Sequence, residues 1–415
     1  MTAIAGPSPA RQYPSPRIGA NGGFWAVAFA FAVTMAFSTL PTPLYVLYQQ
    51  RIGFDRFMVT VVFAAYAVGV VVSLLLTGHL SDQIGRRRIL LPALLIEAAA
   101  ALVFLLAPTL AGLLAARLLS GVGIGMILST ATAYLTELHR LARPHAGGGR
   151  ADLLATVANM GGIGLGPLVS GLLAQYVPGP LRTPYQLFLV LLLGAAAAVA
   201  LAPETVPASG ARTSYRPRRL GAVPAAGRQR YAAAAAAGFT SFAVLGLFTS
   251  LAPTFVADVL DDRSRAVAGT VAFTVFAAGA ATQLLLGRSP ARSQLAAGLG
   301  LLASGLVGVS AAAWWPSLAG FLAAGAVTGA GAGLLFKGAV ATVAELAEPG
   351  ARGAAMAGLF LAAYAGLTVP VLALGIATQV IAVPLALIGF ALVALLAVGG
   401  LGRRLLLHHP TATAS

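Results

Sequence analysis

Gly78-His79-Leu80-Ser81-Asp82-Gln83-Ile84-Gly85-Arg86-Arg87-Arg88 is a short, polar and basic segment held between two long apolar runs, and its reading decides the fold. Gly78 lets two helices approach closely, Asp82 stands near a helix end beside three arginines, and Gly85 permits the positive-φ turn that reverses the chain. Such a cluster acts as a charge latch at a membrane surface, Asp82 pairing with guanidinium groups or with a neighbouring helix terminus. Basic residues after any apolar span also hold a loop in the cytoplasm. That role alone leaves the two glycines and the aspartate at this spacing unexplained.

Composition places the segment in its context. Hydrophobic residues make up 59% of the 415 and charged residues 9%, with a mean hydropathy of +0.89, against roughly 25% charged residues in an ordinary soluble domain. A chain this long and this apolar is a polytopic membrane protein. The net charge of +15 does not indicate nucleic-acid binding, because the basic residues sit in short loops between apolar runs instead of on one face. The chain has no cysteine, which excludes disulfides, thiol chemistry and Cys-based metal sites. Abundant Ala, Gly and Arg beside one lysine fit a GC-rich bacterial genome.

Working outward from the latch, residues 1–22 read as a disordered tail rich in Pro, Ser and Gly. Apolar runs near the length of about 20 residues that a span requires then predict span 1 at 24–45, span 2 at 57–79, span 3 at 89–107, span 4 at 109–135, span 5 at 152–177 and span 6 at 185–203. A basic linker at 204–230 carries six arginines. Spans 7 to 12 follow at 231–257, 266–287, 294–313, 317–343, 353–377 and 380–401. With both termini inside, cytoplasmic segments hold 19 of the 26 Lys and Arg, in agreement with the positive-inside rule.

The latch resembles the signature loop between helices 2 and 3 of the major facilitator superfamily. The resemblance implies an all-α membrane protein of twelve transmembrane helices in two pseudo-symmetric six-helix bundles, here 23–203 and 231–402, with cytoplasmic tails at 1–22 and 403–415. It implies a cytoplasmic latch built from Gly78, Asp82, Gly85, Arg86 and Arg87; Glu137, a carboxylate at the C-terminal end of span 4, needs a nearby cation, which points to Arg86, Arg87 or Arg140. An internal repeat agrees with it: Gly121-Val-Gly-Ile-Gly125 through Glu137-Leu138 aligns without a gap on Gly329-Ala-Gly-Ala-Gly333 through Glu345-Leu346. Arg352 is the expected cation for Glu345. The second-half loop, from Gly287 to Arg292, lacks the acidic residue.

Two further motifs bear on mechanism. Leu113-x-x-x-Arg117-x-x-Ser120-Gly121-x-Gly123 resembles the span 4 motif of proton-coupled facilitators, in which a buried arginine influences a nearby proton site. Gly162-x-x-x-Gly166-Pro167-x-x-Ser170-Gly171 resembles the antiporter motif of span 5, whose glycines flatten one helix face while the proline bends it. Ionisable residues within the spans are few, namely Glu97, Arg117 and Lys337, and burying a charge costs at least about 2.5 kcal/mol. Glu97 and Arg117 each lie about ten residues from the turn at Ala107 and Pro108. A hairpin of spans 3 and 4 brings them to one depth, where Glu97 is the candidate proton carrier and Arg117 its partner.

Thr39, Thr42 and Tyr45 of span 1, with Asn159, Gln283, Lys337 and Tyr364, are the candidates for lining a substrate cavity. Span 1 carries no acidic residue, a departure from several drug-export families. The sequence reading is a monomeric secondary transporter in the bacterial cytoplasmic membrane, exporting a small amphipathic compound by alternating access in exchange for protons. Import of a sugar or organic acid by symport or uniport is the alternative. The partners expected are a small molecule and the lipid bilayer, with no nucleic acid, metal or cofactor. No nucleotide-binding motif is present, which points to the proton gradient as the energy source. No nucleophile–base constellation argues for an enzyme.

Overall fold

The computed structural model describes residues 18–77, 81–145, 147–206, 223–348 and 352–406. Gly78, the side chain of Asp82, linker residues 207–222, residues 1–17 of the first expected tail and residues 407–415 of the second lie outside the described residues; 20–22 and 403–406 are helical. Among the described residues twelve helices are long and apolar enough to cross a membrane. Spans 1 to 6 are Ala20–Ile52, Phe57–Thr77, Arg86–Leu106, Leu110–Ala142, Gly149–Tyr176 and Thr183–Leu201. Spans 7 to 12 are Ala225–Ser250, Arg265–Leu286, Ala291–Trp314, Leu318–Leu346, Arg352–Ala377 and Val383–Leu405. Helices satisfy their own backbone groups, which lipid cannot do for them.

Three spans depart from the sequence reading. Span 4 continues through Thr136, Glu137 and His139 to Ala142, because nothing in that polar stretch breaks a helix. Span 7 stops at Ser250, and Pro253 opens a separate short helix, Ala252–Asp258, at the position where a proline costs no hydrogen bond. Span 1 is broken. Its first helix ends at Thr39, a 3-10 turn covers Thr42–Leu44, and a second helix runs Tyr45–Ile52. Pro41 and Pro43 remove two backbone donors in this region and enforce the break.

Two cores organise the spans. One gathers buried residues of spans 1 to 6, including Phe31, Phe37 and Phe104, with Phe104 stacked on Tyr185 at 4.6 Å. The other gathers spans 7 to 12 around Phe248, Phe255 and Phe321. Met160 of span 5 joins the second core and Tyr364, Leu367 and Val371 of span 11 join the first. The two groups of helices meet at these residues.

The repeated glycines do matching work in the two groups. A Cβ at Gly121 would overlap the Tyr66 carbonyl oxygen of span 2, and one at Gly329 would overlap the Val275 carbonyl oxygen of span 8. The middle glycines face elsewhere: Gly123 abuts Glu97 of span 3, and Gly331 abuts Leu302 of span 9. At about 100° per residue, positions i and i+4 share a helix face and i+2 points away. One Gly-x-Gly-x-Gly run thus packs two neighbouring spans closely.

Candidate functional site

The Ser81–Arg88 segment lies at one end of the bundle, termed here the latch end. Gly85 adopts φ +119°, and a Cβ on it would sit 2.5 Å from a Glu204 carboxylate oxygen. That carboxylate accepts the backbone N–H of Arg86 at 2.8 Å and of Arg87 at 3.1 Å, so Glu204 caps the N-terminus of span 3, where orphan donors and the helix dipole favour an anion. The Arg86 guanidinium pairs with Glu137 at 2.8 Å and donates to Ser81 Oγ at 2.8 Å. Thr205 Oγ1 donates to the second Glu137 oxygen, and Arg87 donates to the Ala202 carbonyl at 2.9 Å. Spans 3 and 4 and the end of span 6 are thereby tied into one brace within the first half.

Glu204 is the latch residue that the sequence reading missed; a carboxylate directly after an apolar span and close in space to a basic loop is its signal. Glu204→Ala removes the cap and is expected to lower folding stability by about 1 kcal/mol, with Glu204→Gln losing less because its amide oxygen still accepts. Thermal unfolding in detergent checks the order of the three proteins. In the second half, Arg352 donates to the Ala344 carbonyl at 3.1 Å and not to Glu345 as expected.

A cavity of about 680 Å³ lies between the two groups of helices. Its floor includes Ser38, Tyr66 and Arg117, and its mouth reaches Gly149, Asp152 and Arg288. Asp152 and Arg288 are exposed, so the cavity opens at the latch end. The opposite end is closed by contacts between the halves. Gly375 of span 11 abuts the Thr60 side chain, and Gly269 of span 8 abuts the Pro167 carbonyl of span 5. Arg265 N–H donates to Gln175 Oε1 at 2.9 Å across the same seam.

Four polar groups give the cavity its character. Arg117 is buried, donates to the Ser38 carbonyl at 2.6 Å and places its guanidinium carbon 4.6 Å from the Tyr66 ring centroid. Ser38 belongs to the last turn of the first helix of span 1, where carbonyls lack intrahelical donors and a cation is favoured. Asn159 lies in a π-helical turn, Val157–Gly161, that interrupts span 5, and its Oδ1 is buried without a hydrogen-bond partner. Gln283 donates to the Gly333 carbonyl at 3.0 Å and reaches Met160 Sδ across the halves at 3.5 Å. Half-buried Lys337 donates to the Gln283 carbonyl at 3.3 Å.

The sequence profile of the Major Facilitator Superfamily matches residues 27–289. The chain belongs to this superfamily. It is a multi-pass membrane transporter by that membership, and the family indicates transport instead of enzymatic catalysis. The human organic anion transporter MFSD10 (TETRAN) superposes over 94% of this chain and all of its own, with TM-score 0.67 and 16% identity, which establishes a common fold. A Bacillus subtilis (strain 168) arabinose-proton symporter is 41% identical over 81 residues, 20% of this chain and 18% of the symporter. The bacillibactin exporter of the same organism is 28% identical over 139 residues, 32% of this chain and 34% of the exporter. The chain thus spans about a fifth of the length of the symporter and about a third of that of the exporter.

Within this superfamily member, Thr39, Asn159, Gln283, Lys337 and Tyr364 line the cavity as expected from sequence. Thr42 and Tyr45 do not: both are buried beyond the break in span 1, on the closed side of the floor. Thr39 reaches across to span 5, donating to the Ile163 carbonyl at 2.6 Å. Gly162 and Gly166 face span 1, where a Cβ at Gly166 would overlap the Ala36 carbonyl oxygen. Pro167 and Gly171 face span 8, so span 5 carries one seam within its half and another between halves.

The expected Glu97–Arg117 pair is not formed. Both side chains are buried and near enough to interact electrostatically, but Arg117 donates to the Ser38 carbonyl and makes no hydrogen bond to Glu97. Gly123, the residue of span 4 that meets Glu97, lies six positions after Arg117, about 120° around the helix. Span 4 therefore separates the carboxylate from the cavity that the arginine lines.

Proposed function

We propose that this transporter exports a small amphipathic molecule from a bacterial cell in exchange for protons, with the latch end facing the cytoplasm. The observation that carries the reading is the cavity between the halves, open at the latch end and sealed at the other, which is one state of an alternating-access cycle. The excess of Lys and Arg in the segments assigned to the latch end supports the orientation. Rocking of the halves closes the mouth and opens the seam between spans 5 and 8, presenting the same floor to the other side. The remainder of the reading is a monomer in the cytoplasmic membrane, both termini inside, driven by the proton gradient without a cofactor or nucleic acid.

In this reading Glu97 takes the proton and span 4 transmits the event. Glu97 fills the notch left by Gly123, so a change in its charge shifts span 4, and Arg117 on the same helix holds the broken end of span 1. Coupling then runs from a carboxylate outside the cavity to the cavity floor. Glu97→Gln is expected to abolish substrate-induced proton movement while leaving binding intact. Energised everted vesicles with a pH-sensitive dye provide the measurement. Proton release on adding a compound, lost in Glu97→Gln, supports antiport; release that persists in the variant removes Glu97 from the mechanism. A compound whose entry into cells requires the protein turns the assignment to import.

A further inference from the structure

The described residues that line the cavity include four charged side chains: Arg117, Arg288 and Lys337 against Asp152. The cavity therefore carries an excess of two positive charges. Asp152 is near enough to Lys337 to interact with it electrostatically, yet it does not hydrogen-bond the amine. Lys337 has three N–H donors, and its one acceptor among the described residues is the Gln283 carbonyl at 3.3 Å. A half-buried ammonium with unused donors beside a cavity is a site for an anionic acceptor.

The wall next to Lys337 is aromatic. Phe336 lies 4.9 Å from Phe242 and 5.9 Å from Phe360 between ring centroids, and Phe242 lies 5.4 Å from Tyr364. All four rings line the cavity and come from the second half. An apolar wall thus adjoins a cationic point, the arrangement that receives an amphiphile by its two ends.

We infer that the cavity binds an organic anion, its charged group on Lys337 and its apolar body along Phe242, Phe336 and Phe360. Arg117 and Arg288 raise the potential around that position without being the contact. The inference rests on the transporter reading for its site. Its test reads binding alone, so loss of flux and loss of anion preference are separable results.

Three probes sharing one ring system make the test: 2-naphthoate, the neutral 2-naphthamide and the cationic 2-naphthylmethylammonium, titrated calorimetrically into the purified full-length protein. The carboxylate is expected to bind about tenfold more tightly than the amide, and the ammonium more weakly than either. Lys337→Gln should erase the preference for carboxylate over amide while leaving amide affinity and the thermal midpoint unchanged. Asp152→Asn, at the exposed mouth, should tighten carboxylate binding. Equal affinities for the three probes, tighter binding of the ammonium, or no binding of any overturns the inference. So does a Lys337→Gln protein that loses amide and carboxylate binding together, because that result assigns the lysine to packing.

Discussion

Arg117→Gln is expected to lower the transport rate by about two orders of magnitude while the protein still folds. The substitution removes a charge-assisted hydrogen bond to the Ser38 carbonyl at 2.6 Å, a contact of about 1.5–3 kcal/mol. It also removes a cation held over the Tyr66 ring, worth about 2 kcal/mol where water is excluded. Both losses fall on the cavity floor and on the broken end of span 1. Arg117→Lys keeps the charge but not the planar fork that stacks on the ring while bonding the carbonyl, so it should restore only part of the rate. Flux and thermal midpoint measured on the same preparations decide the matter. A proportional fall in both would make Arg117 a folding residue instead of a working one.

Gly269→Ala is expected to expel the protein from the conformation described here. A methyl group at that position overlaps the Pro167 carbonyl oxygen on the opposite half, and overpacking of this kind costs about 1–3 kcal/mol. Because the strain exists only while spans 5 and 8 are closed at the far end, it moves the equilibrium by about 5- to 150-fold toward the opposite opening. The absence of native cysteine makes the measurement direct. Thr249 lines the cavity and its hydroxyl bonds only to carbonyls of its own helix, so Thr249→Cys reports accessibility. An impermeant maleimide should label it faster from the far side in Gly269→Ala than in the parent. Gly329→Ala is the control, since its clash with Val275 lies within one half; it should reduce stability and leave the sidedness of labelling unchanged. Identical labelling in Gly269→Ala and its parent would mean that this seam does not set the conformation.

Long apolar runs and small-residue patterns made much of this architecture legible before any coordinates. The number of spans, the paired Gly-x-Gly-x-Gly runs and the Arg86–Glu137 contact follow from features that a linear reading carries directly. What the reading misplaced depends on rotation and on breaks. Glu97 meets span 4 at Gly123, six residues past Arg117, which is about 9 Å along the helix and about 120° around it. Pro41 and Pro43 end the first helix of span 1 and leave Thr42 and Tyr45 buried behind the floor, a placement that the polarity of those two residues did not reveal. Asn159 was named for its polarity, but its presentation depends on a π-helical turn that no residue pattern announced. Glu204 went unnoticed because its partners are backbone N–H groups 118 and 117 positions away.

Lys337 also has a consequence for the chemist. It is the one lysine in 415 residues, and it stands half-buried on the wall of the cavity. The chain therefore carries a single side-chain amine, located at the cavity and absent from the lipid-facing and loop surfaces. Acylating reagents, which usually scatter over a protein's exterior, have one side-chain target here, and anything resting in the cavity shields it. The extent of modification becomes a readout of occupancy, and a ligand armed with a mild electrophile becomes an affinity label without any engineered residue.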